Sequence, residues 1–422
     1  MRFCKILSFF AVIPLIIVLF AGAVTVPAAA EAPMQFRYDA THSGDYSPVA
    51  ESTVPNDVQK WSFTTGDEVS SSPSVVNGTI YVGSDDSSVY ALNSITGAKL
   101  WNYTTGAAVL SSPAIANGVV YVGSYDHNVY AIYANNGTKL WNYTTGDEVS
   151  SSPSVVNGIV YIGSNDHNVY ALNSTTGANV WNYTTGDDVD SSPAIANGVV
   201  YVGSYDHNVY AIYANNGTKL WNYTTGGPVE SSPAVANGVV YVGSYDNSTY
   251  ALNATTGAKL WNYTTGGPVE SSPAVANGVV YVGSDDDNVY ALNGTTGAKL
   301  WNFTTGLEVY SSPALANGVV YVGSYDNNVY ALNATTGQLT WIFKTEASVY
   351  SSPTVANGIV YVGSGDNNVY AIGNVAATTS PSATSGAATT SQSVTSGATP
   401  GFNVVLALVG LVIAAYVVKR RS

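Results

Sequence analysis

The hydrophobic and polar positions of this chain repeat every forty residues, from Trp61 to the neighbourhood of Ile372. Residues 221–260 represent the repeat, and within them apolar positions alternate with period two and β-branched and aromatic residues dominate. This alternation is typical of β-strands and not of helices. A fixed period without insertions predicts stacked supersecondary units, none of which can bury its apolar face alone. The eight tryptophans stand forty positions apart: Trp61, Trp101, Trp141, Trp181, Trp221, Trp261, Trp301 and Trp341.

Turn signals divide each repeat into four strands. Asn237-Gly238 is typical of a type I′ hairpin, Tyr245-Asp246-Asn247 forms a polar turn, and Thr256-Gly257 provides the third break. The predicted strands of this repeat are A (Val229–Ala236), B (Val239–Ser244), C (Thr249–Asn253) and D (Ala258–Thr264). Four short antiparallel strands per repeat favour a propeller blade over a sandwich or a solenoid.

The C–D segment, residues 251–261, reads Ala-Leu-Asn-Ala-Thr-Thr-Gly-Ala-Lys-Leu-Trp. It resembles the tryptophan-docking motif of pyrroloquinoline-quinone-like propeller repeats, usually Ala-x-Asp-x-x-Thr-Gly-x-x-x-Trp. Seven complete copies end at Trp101 to Trp341, with Asn usually in the Asp position and Tyr133 or Tyr213 there twice. The resemblance implies that each tryptophan stacks between neighbouring blades. Burying one removes about 150–250 Å² from water, which contributes at most about 4–6 kcal/mol.

The two ends of the repeat array complement each other. Trp61 follows residues 55–60 without the Ala or Thr-Gly of the motif, so it belongs to a strand D that lacks strands A, B and C. Residues 351–372 supply A, B and C without a strand D. Joining the two parts leaves no open seam in the ring. The sequence therefore predicts an all-β, eight-bladed β-propeller over residues 57–373, closed by its N-terminal strand.

The N-terminus has the pattern of a secretory signal peptide over residues 1–30. Arg2 and Lys5 precede an apolar run that ends in an Ala-rich segment, and cleavage is expected after Ala30. An uncleaved membrane anchor is the alternative, given the length of the run. The only cysteine, Cys4, would be removed, so the mature chain would have neither disulfides nor thiolate metal sites.

Residues 31–56 form an aromatic, turn-rich lead-in segment. In propellers that this chain resembles, such a segment packs under the ring and leads into the closing strand. Arg37 and His42 are the candidate reactive residues in it, and no neighbouring residues complete a catalytic constellation. We therefore expect both side chains to be packing or surface residues.

After the repeats, residues 374–399 are rich in Ser, Thr and Ala, which predicts a flexible stalk. In the final segment, residues 400–422, Pro400-Gly401-Phe402 precedes an apolar run and a Lys-Arg-Arg cluster. This order resembles the PGF-type C-terminal sorting signal of archaeal surface proteins, which implies cleavage by an archaeosortase and replacement by a lipid. A retained transmembrane helix is the alternative. Both interpretations place the propeller on the extracellular face of the cell membrane.

Charged residues are scarce, yet the net charge is −14. The repeats place their acidic residues in or beside the D–A and B–C connections and five lysines in the C–D hairpins, so the ring should have one acidic face. This face could bind divalent cations or a cationic partner; solubility and turn chemistry are the alternative explanation. Differences between repeats also cluster on this face. The candidate binding residues are Tyr125, Asp126, Tyr205, Glu230, Tyr245, Glu270, Tyr310 and Asp326.

No catalytic, cofactor or metal site is predicted. His127, His167 and His207 occupy one position in successive blades, too far apart to share an ion with bonds of about 2 Å. Residues 285–287 are three aspartates that could bind Ca²⁺ weakly, but they lack the spacing and glycine of a calcium loop.

Fourteen Asn-x-Ser/Thr sequons are present. Six follow a docking tryptophan directly and should point away from the blade contact, so glycosylation there is sterically possible. These candidate glycosylation sites are Asn102, Asn142, Asn182, Asn222, Asn262 and Asn302.

Together these observations predict a membrane-anchored, non-catalytic propeller that serves binding, adhesion or envelope scaffolding. Its partner would be a protein or a glycan of the envelope and not a nucleic acid, and the ring is expected to be monomeric. The alternative is a quinone-dependent dehydrogenase of the cell surface. The enzymes with this repeat need an adjacent-cysteine ring, calcium-binding side chains and a catalytic Asp drawn from insertions, and this chain lacks the cysteines and the insertions.

Overall fold

The structure is a computed structural model that describes residues 36–47 and 54–373. The predicted signal peptide, the predicted stalk and the C-terminal segment with Pro400, Gly401 and Phe402 lie outside the described residues. Within the described ranges, no helix is long and apolar enough to cross a membrane.

Thirty-two strands form eight antiparallel four-stranded sheets, which confirms the predicted eight-bladed propeller. The strands of a blade are termed A to D from the ring axis outward, because neighbouring blades contact one another through their A strands. The A strands are β2 (Ser74–Val76), β6 (Ala114–Ala116), β10 (Ser154–Val156), β14 (Ala194–Ala196), β18 (Ala234–Ala236), β22 (Ala274–Ala276), β26 (Ala314–Ala316) and β30 (Thr354–Ala356). The B strands are β3 (Thr79–Ser84), β7 (Val119–Gly123), β11 (Ile159–Ser164), β15 (Val199–Gly203), β19 (Val239–Ser244), β23 (Val279–Ser284), β27 (Val319–Gly323) and β31 (Ile359–Gly363).

The two outer strands complete each blade. The C strands are β4 (Ser88–Asn93), β8 (Asn128–Tyr133), β12 (Asn168–Asn173), β16 (Asn208–Tyr213), β20 (Ser248–Asn253), β24 (Asn288–Asn293), β28 (Asn328–Asn333) and β32 (Asn368–Gly373). The D strands are β5 (Lys99–Thr104), β9 (Lys139–Thr144), β13 (Asn179–Thr184), β17 (Lys219–Thr224), β21 (Lys259–Thr264), β25 (Lys299–Thr304), β29 (Leu339–Lys344) and, in blade 8, β1 (Gln59–Thr64). Blade 1 contains β2–β5, and the numbering follows the chain to blade 8, which contains β30–β32 and β1.

The hairpin between strands A and B has the predicted geometry. Asn237 and Gly238 have φ angles of 51° and 77°, the two left-handed residues that a type I′ turn requires. The prediction for strand A itself was wrong at its start, since β18 begins at Ala234 and not at Val229. Strand C begins one residue earlier than predicted, at Ser248, and strand D one residue later, at Lys259.

The backbone ladder between strands A and B begins only at Ala234. In the preceding Ser-Ser-Pro segment, the Ser231 side chain bonds to strand B, since its Oγ accepts from Gly243 N at 3.0 Å, while the backbone of Ser232 bonds to the next blade. Ser232 N donates to Ser272 Oγ at 2.9 Å, and Pro233 has no N–H to donate. The same bond joins every blade to the next at 2.9–3.0 Å and closes the circle from Ser352 N to Ser72 Oγ. This serine ring connects all eight blades close to the axis.

The tryptophans connect the blades farther out. Trp221 is 8% exposed and donates from Nε1 to Ala254 O of blade 5 at 3.0 Å. Its ring lies on Gly257, where an added Cβ would come within 2.7 Å of the indole Cδ2. The other seven tryptophans donate to the next blade or its lead-in in the same way. The docking role implied by the resemblance is confirmed.

The N-terminal strand closes the ring as predicted. Strand β1 pairs with β32, with Phe63 opposite Val369 in the register. Trp341 of blade 7 donates to Pro55 O at 2.8 Å, so the residues before β1 replace the docking turn that blade 8 lacks. The eighth sheet is therefore built from both ends of the repeat array.

The part of the lead-in segment that the structure describes at residues 36–47 lies inside the ring, along the A strands. Val235 N, Val275 N and Leu315 N donate to backbone oxygens of this segment at 2.8 Å each. Arg37 and His42 are buried there, and burial lowers their pKa values to about 9 and about 3. The Arg37 guanidinium donates to the carbonyl oxygens of the prolines at 273 and 313, and His42 bonds Ser154 Oγ at 3.1 Å. Both side chains are thus packing residues in the centre of the ring.

Candidate ligand-binding site at the acidic mouth

The D–A and B–C connections emerge at one end of the ring, because connections alternate between the two ends of antiparallel strands. A cavity of about 610 Å³ opens at this end. Its lining comes from blades 1, 2 and 5 to 8, so the cavity lies on the ring axis. We term it the acidic mouth, and its lining residues are Glu68, Ser70, Leu110, Glu230, Tyr245, Glu270, Tyr310, Tyr325 and Tyr350.

Glu230 is held on one side of the mouth by two tyrosines. Tyr205 Oη and Tyr245 Oη both donate to Glu230 Oε2 at 2.7 Å, and one tyrosine comes from blade 4 and the other from blade 5. Burial raises the pKa of Glu230, the two hydrogen bonds lower it in part, and the charge of Asp190 raises it further. The carboxylate is therefore fixed in place between two blades.

Glu270 is the second lining carboxyl group. Burial raises its pKa, and the negative charges of Glu230 and Asp285 add to that effect. The pKa of Asp285 is also raised, again first by burial. Three carboxyl groups thus share one partly buried space and repel one another when ionised.

Aromatic rings form the wall on the side of blades 7 and 8. The ring centroids of Tyr310 and Tyr325 are 4.7 Å apart, and those of Tyr325 and Tyr350 are 4.6 Å apart with the planes perpendicular. Such edge contacts are favourable between aromatic side chains and hold the rings in position.

The structure brings together half of the candidate binding residues. Glu230, Tyr245, Glu270 and Tyr310 line the mouth, and Tyr205 supports Glu230 from behind. Tyr125 lies on the same face, where burial and then the charges of Asp190, Glu148, Asp85 and Glu230 raise its pKa to about 12.

Asp126 and Asp326 have a different role within the described residues. Asp126 Oδ2 accepts hydrogen bonds from Gly106 N and Tyr130 Oη, both at 2.6 Å. Burial alone would raise the pKa of Asp126, but these bonds and those from Asn128 lower it. Asp326 makes the same two contacts, with Gly306 N and Tyr330 Oη. These aspartates hold the D–A connection against the B–C turn of the next blade.

Five lining residues were not among the candidates: Glu68, Ser70, Leu110, Tyr325 and Tyr350. Four of them occupy the two repeat positions at which the copies differ most, the residue before Ser-Ser-Pro and the first residue of the B–C turn. The variability of these two positions had already indicated the four residues as part of a possible binding face, although they were not chosen as candidates, and Glu68 is an acid of a D–A connection.

The six candidate glycosylation residues lie on strands D, and all are exposed. Asn102 accepts a hydrogen bond from Lys99 Nζ at 3.2 Å, and Asn142 donates to Asn128 Oδ1 at 2.9 Å. These exposed amides are accessible from the rim of the ring, and their glycosylation stays a prediction.

The lining combines carboxylates with aromatic faces and includes no lysine or arginine among the described residues. Carboxylates attract cations through charge, and tyrosine faces attract them through the ring quadrupole. The mouth is therefore chemically suited to a positively charged group.

Fold and site together define an eight-bladed β-propeller whose blades are joined by docked tryptophans and whose acidic mouth lies on the axis. The family described as beta-alanine-activating enzyme, beta-propeller matches residues 118–319, and the family described as outer membrane protein assembly factor BamB matches residues 305–410. These matches support a propeller of the pyrroloquinoline-quinone-like type. No curated protein matches the chain at a significant level.

Solved structures show the same fold. BamB from Moraxella catarrhalis is 21% identical, with a TM-score of 0.66 over 75% of this chain and 99% of BamB. The computationally designed Ika8 protein is 17% identical, with a TM-score of 0.68 over 76% of this chain and 100% of Ika8. The quinohemoprotein alcohol dehydrogenase of Comamonas testosteroni is 16% identical, with a TM-score of 0.71 over 83% of this chain and 82% of the enzyme. At these identities the likeness concerns the fold.

Proposed function

We propose that this chain is a non-catalytic binding module of the cell envelope and that its acidic mouth binds a positively charged segment of a protein partner. The observation that carries the proposal is the cavity on the ring axis, with Glu230 and Glu270 beside a wall of tyrosines. The likeness to BamB supports an envelope location. The signal peptide and C-terminal segment predicted from the sequence support attachment to the extracellular face of the membrane.

A lysine or arginine side chain fits this cavity because it can contact a carboxylate and a tyrosine face together. Glu230 is already ordered by its two tyrosines, so little side-chain freedom would be lost on binding. An incoming ammonium or guanidinium group would also reduce the repulsion among the carboxyl groups around Glu270.

The test uses the purified full-length chain and surface plasmon resonance against three probes: a lysine-rich peptide, the same peptide with glutamine for lysine, and a neutral oligosaccharide. The proposal predicts binding of the lysine-rich peptide only, weakened at least tenfold in the double variant Glu230→Gln, Glu270→Gln. Glu346→Gln is the matched control, because Glu346 is an exposed acid of a D–A connection outside the mouth lining.

Two results would overturn the proposal. An equal loss in the Glu346→Gln variant would show a general effect of surface charge without a defined site. Binding of the oligosaccharide in preference to both peptides would indicate a glycan-binding module instead.

A quinone-dependent dehydrogenase is the alternative, since a quinohemoprotein alcohol dehydrogenase has this fold. We favour the binding module because the one cysteine of the chain, Cys4, lies in the predicted signal peptide and cannot form an adjacent-cysteine ring. Incubation with pyrroloquinoline quinone and Ca²⁺ separates the two functions. We expect no stoichiometric quinone absorption after desalting, and its appearance would favour the enzyme.

A further inference from the structure

Three side chains with metal-ligand chemistry meet beside the link between blades 3 and 4. His167 lies in the B–C turn of blade 3, and Asp187 and Asp188 lie in the D–A connection that follows β13. His167 Nε2 is 3.8 Å from Asp187 Oδ1 and 3.3 Å from Asp188 Oδ1, and the three ligand atoms all lie within 4.8 Å of one another. We propose that this triad binds a divalent transition-metal ion, with Zn²⁺ as the reference ion. The site is separate from the acidic mouth and does not depend on the proposed function.

One of the distances already fits a metal centre, and the others require a small rearrangement. With Zn–N bonds of about 2.0–2.1 Å and Zn–O bonds of about 2.0–2.2 Å, neighbouring ligand atoms in a tetrahedron lie about 3.3–3.5 Å apart. The separation between His167 and Asp188 already has this value. Asp187 Oδ1 must move a few tenths of an ångström toward His167, and it must also reach this spacing from Asp188, from which it lies within 4.8 Å; an exposed side chain can make such a movement. Three protein ligands leave the fourth position open to water or to a group from another molecule.

Backbone contacts hold the two loops at this separation. Thr185 N donates to His167 O at 2.8 Å, which ties the D–A connection to the B–C turn. Gly186 N donates to Asp206 Oδ2 at 2.7 Å, which ties the same connection to blade 4. The ion would therefore bind between loops that already have fixed positions, so little conformational entropy would be lost on binding.

The electrostatics also favour a divalent ion. Asp187 and Asp188 are adjacent carboxylates, and the five lysines that begin strands D, Lys99, Lys139, Lys219, Lys259 and Lys299, lie at the opposite end of the ring. The negative charges of Asp187 and Asp188 repel each other, and the charge of Asp190 lies close enough to add to that repulsion. A bound dication would relieve this repulsion while a neutral imidazole supplies a nitrogen ligand.

The chain contains matched comparison sites at the equivalent positions of the neighbouring blades. His127 Nε2 lies 3.8 Å from Asp147 Oδ1, so that site brings one carboxylate near its histidine. In the connection beside His207, the positions equivalent to Asp187 and Asp188 are Gly227 and Pro228, neither of which carries a carboxylate. Among the described residues, the triad of His167 is the only group of three His, Cys, Asp or Glu side chains whose ligand atoms all lie within 4.8 Å of one another.

The experiment is calorimetric titration of the full-length, untagged chain with Zn²⁺, followed by Co²⁺ absorption as a report on coordination. We expect one ion per chain, at least tenfold weaker binding in His167→Ala and in Asp188→Asn, and unchanged binding in His207→Ala. Thermal melting of each variant verifies the fold, which these exposed substitutions should preserve. The variant Glu270→Gln should also bind normally, which separates this site from the acidic mouth.

Several outcomes would overturn the proposal. These are no Zn²⁺ binding up to millimolar concentration, equal loss in His167→Ala and His207→Ala, or Co²⁺ spectra that do not change when His167 is removed. Equal binding of Ca²⁺ that is insensitive to His167→Ala would show a diffuse acidic surface and not a coordination site.

Discussion

Tryptophan docking can be tested by adding a single methyl group at Gly257, with Gly238 as the matched control. Both glycines have left-handed φ angles, 71° at Gly257 and 77° at Gly238, and both lie in hairpin turns of blade 5. A Cβ added at Gly238 meets no atom within 4 Å, whereas one at Gly257 lies 2.7 Å from Cδ2 and 2.8 Å from Cε3 of Trp221. The two alanine variants therefore differ in the contact with the indole ring and share the backbone strain.

The expected magnitudes follow from these contacts. An alanine in the left-handed region costs about 1–2 kcal/mol, which is the whole penalty at Gly238. At Gly257 the indole must retreat, because carbon atoms pack best at about 3.5–4.0 Å. Such overpacking costs about 1–3 kcal/mol, and stretching the bond from Trp221 Nε1 to Ala254 O adds about 0.5–1.5 kcal/mol. Gly257→Ala should thus destabilise the protein by about 1.5–4.5 kcal/mol more than Gly238→Ala. The loss of unfolded-state entropy is the same for both substitutions and cancels.

Urea denaturation followed by circular dichroism measures the difference, since the eight tryptophans would mix their fluorescence signals. A Trp221→Ala background provides a second control, because Gly257→Ala should there cost no more than Gly238→Ala. Equal destabilisation by the two glycine variants in the wild-type background would refute the docking geometry. So would a cost at Gly257 that persists after Trp221 is removed.

Three further predictions concern other parts of the molecule. Deleting residues 54–64 removes the outer strand of blade 8 and exposes the edge of β32. We therefore expect aggregation in size-exclusion chromatography and a lower melting temperature. Unchanged elution and melting temperature would argue against closure of the ring by β1. The raised pKa of Glu270 means that, above the ordinary pKa of 4.5, the folded state binds more protons than the unfolded state. The free energy of unfolding should therefore fall as pH rises from 4.5, and Glu270→Gln should make that fall less steep in a series of thermal melts. An unchanged dependence on pH in the variant would contradict the prediction. The C-terminal sorting signal predicts a mature end near Pro400 that carries a lipid, which mass analysis of protein from its native host can verify; peptides from residues 404–418 in the mature surface pool would show a retained helix instead.

The amino-acid sequence alone was sufficient for the fold because the signals that define a blade are local. Asn237-Gly238 defines a hairpin through its two left-handed residues, and the period-two alternation along strand D, as in β21, defines which of its side chains are buried. The unmatched strand D at Trp61 and the missing strand D after Ile372 predicted the closing pair, which β1 and β32 form. Each of these inferences depends on residues within one repeat, or on a count of repeats.

The start of strand A could not be found in this way. The alternating pattern extends back to Val229, but the backbone N–H of Ser232 donates to Ser272 of the next blade and not to strand B. The hydrogen-bond acceptor of Ser232 N belongs to the neighbouring repeat, which is close to it only because the ring has formed.

The sites likewise required the tertiary structure. Glu230 and Asp126 are both acids of the same face. Glu230 lines the mouth, whereas the carboxylate of Asp126 accepts hydrogen bonds from Gly106 N and Tyr130 Oη. His167 meets carboxylates twenty residues farther along the chain, and not the histidines of adjacent blades, because the D–A connection folds back over the B–C turn. Strand periodicity specifies which face a side chain occupies, but the distance between side chains on different loops depends on how the ring closes around its axis.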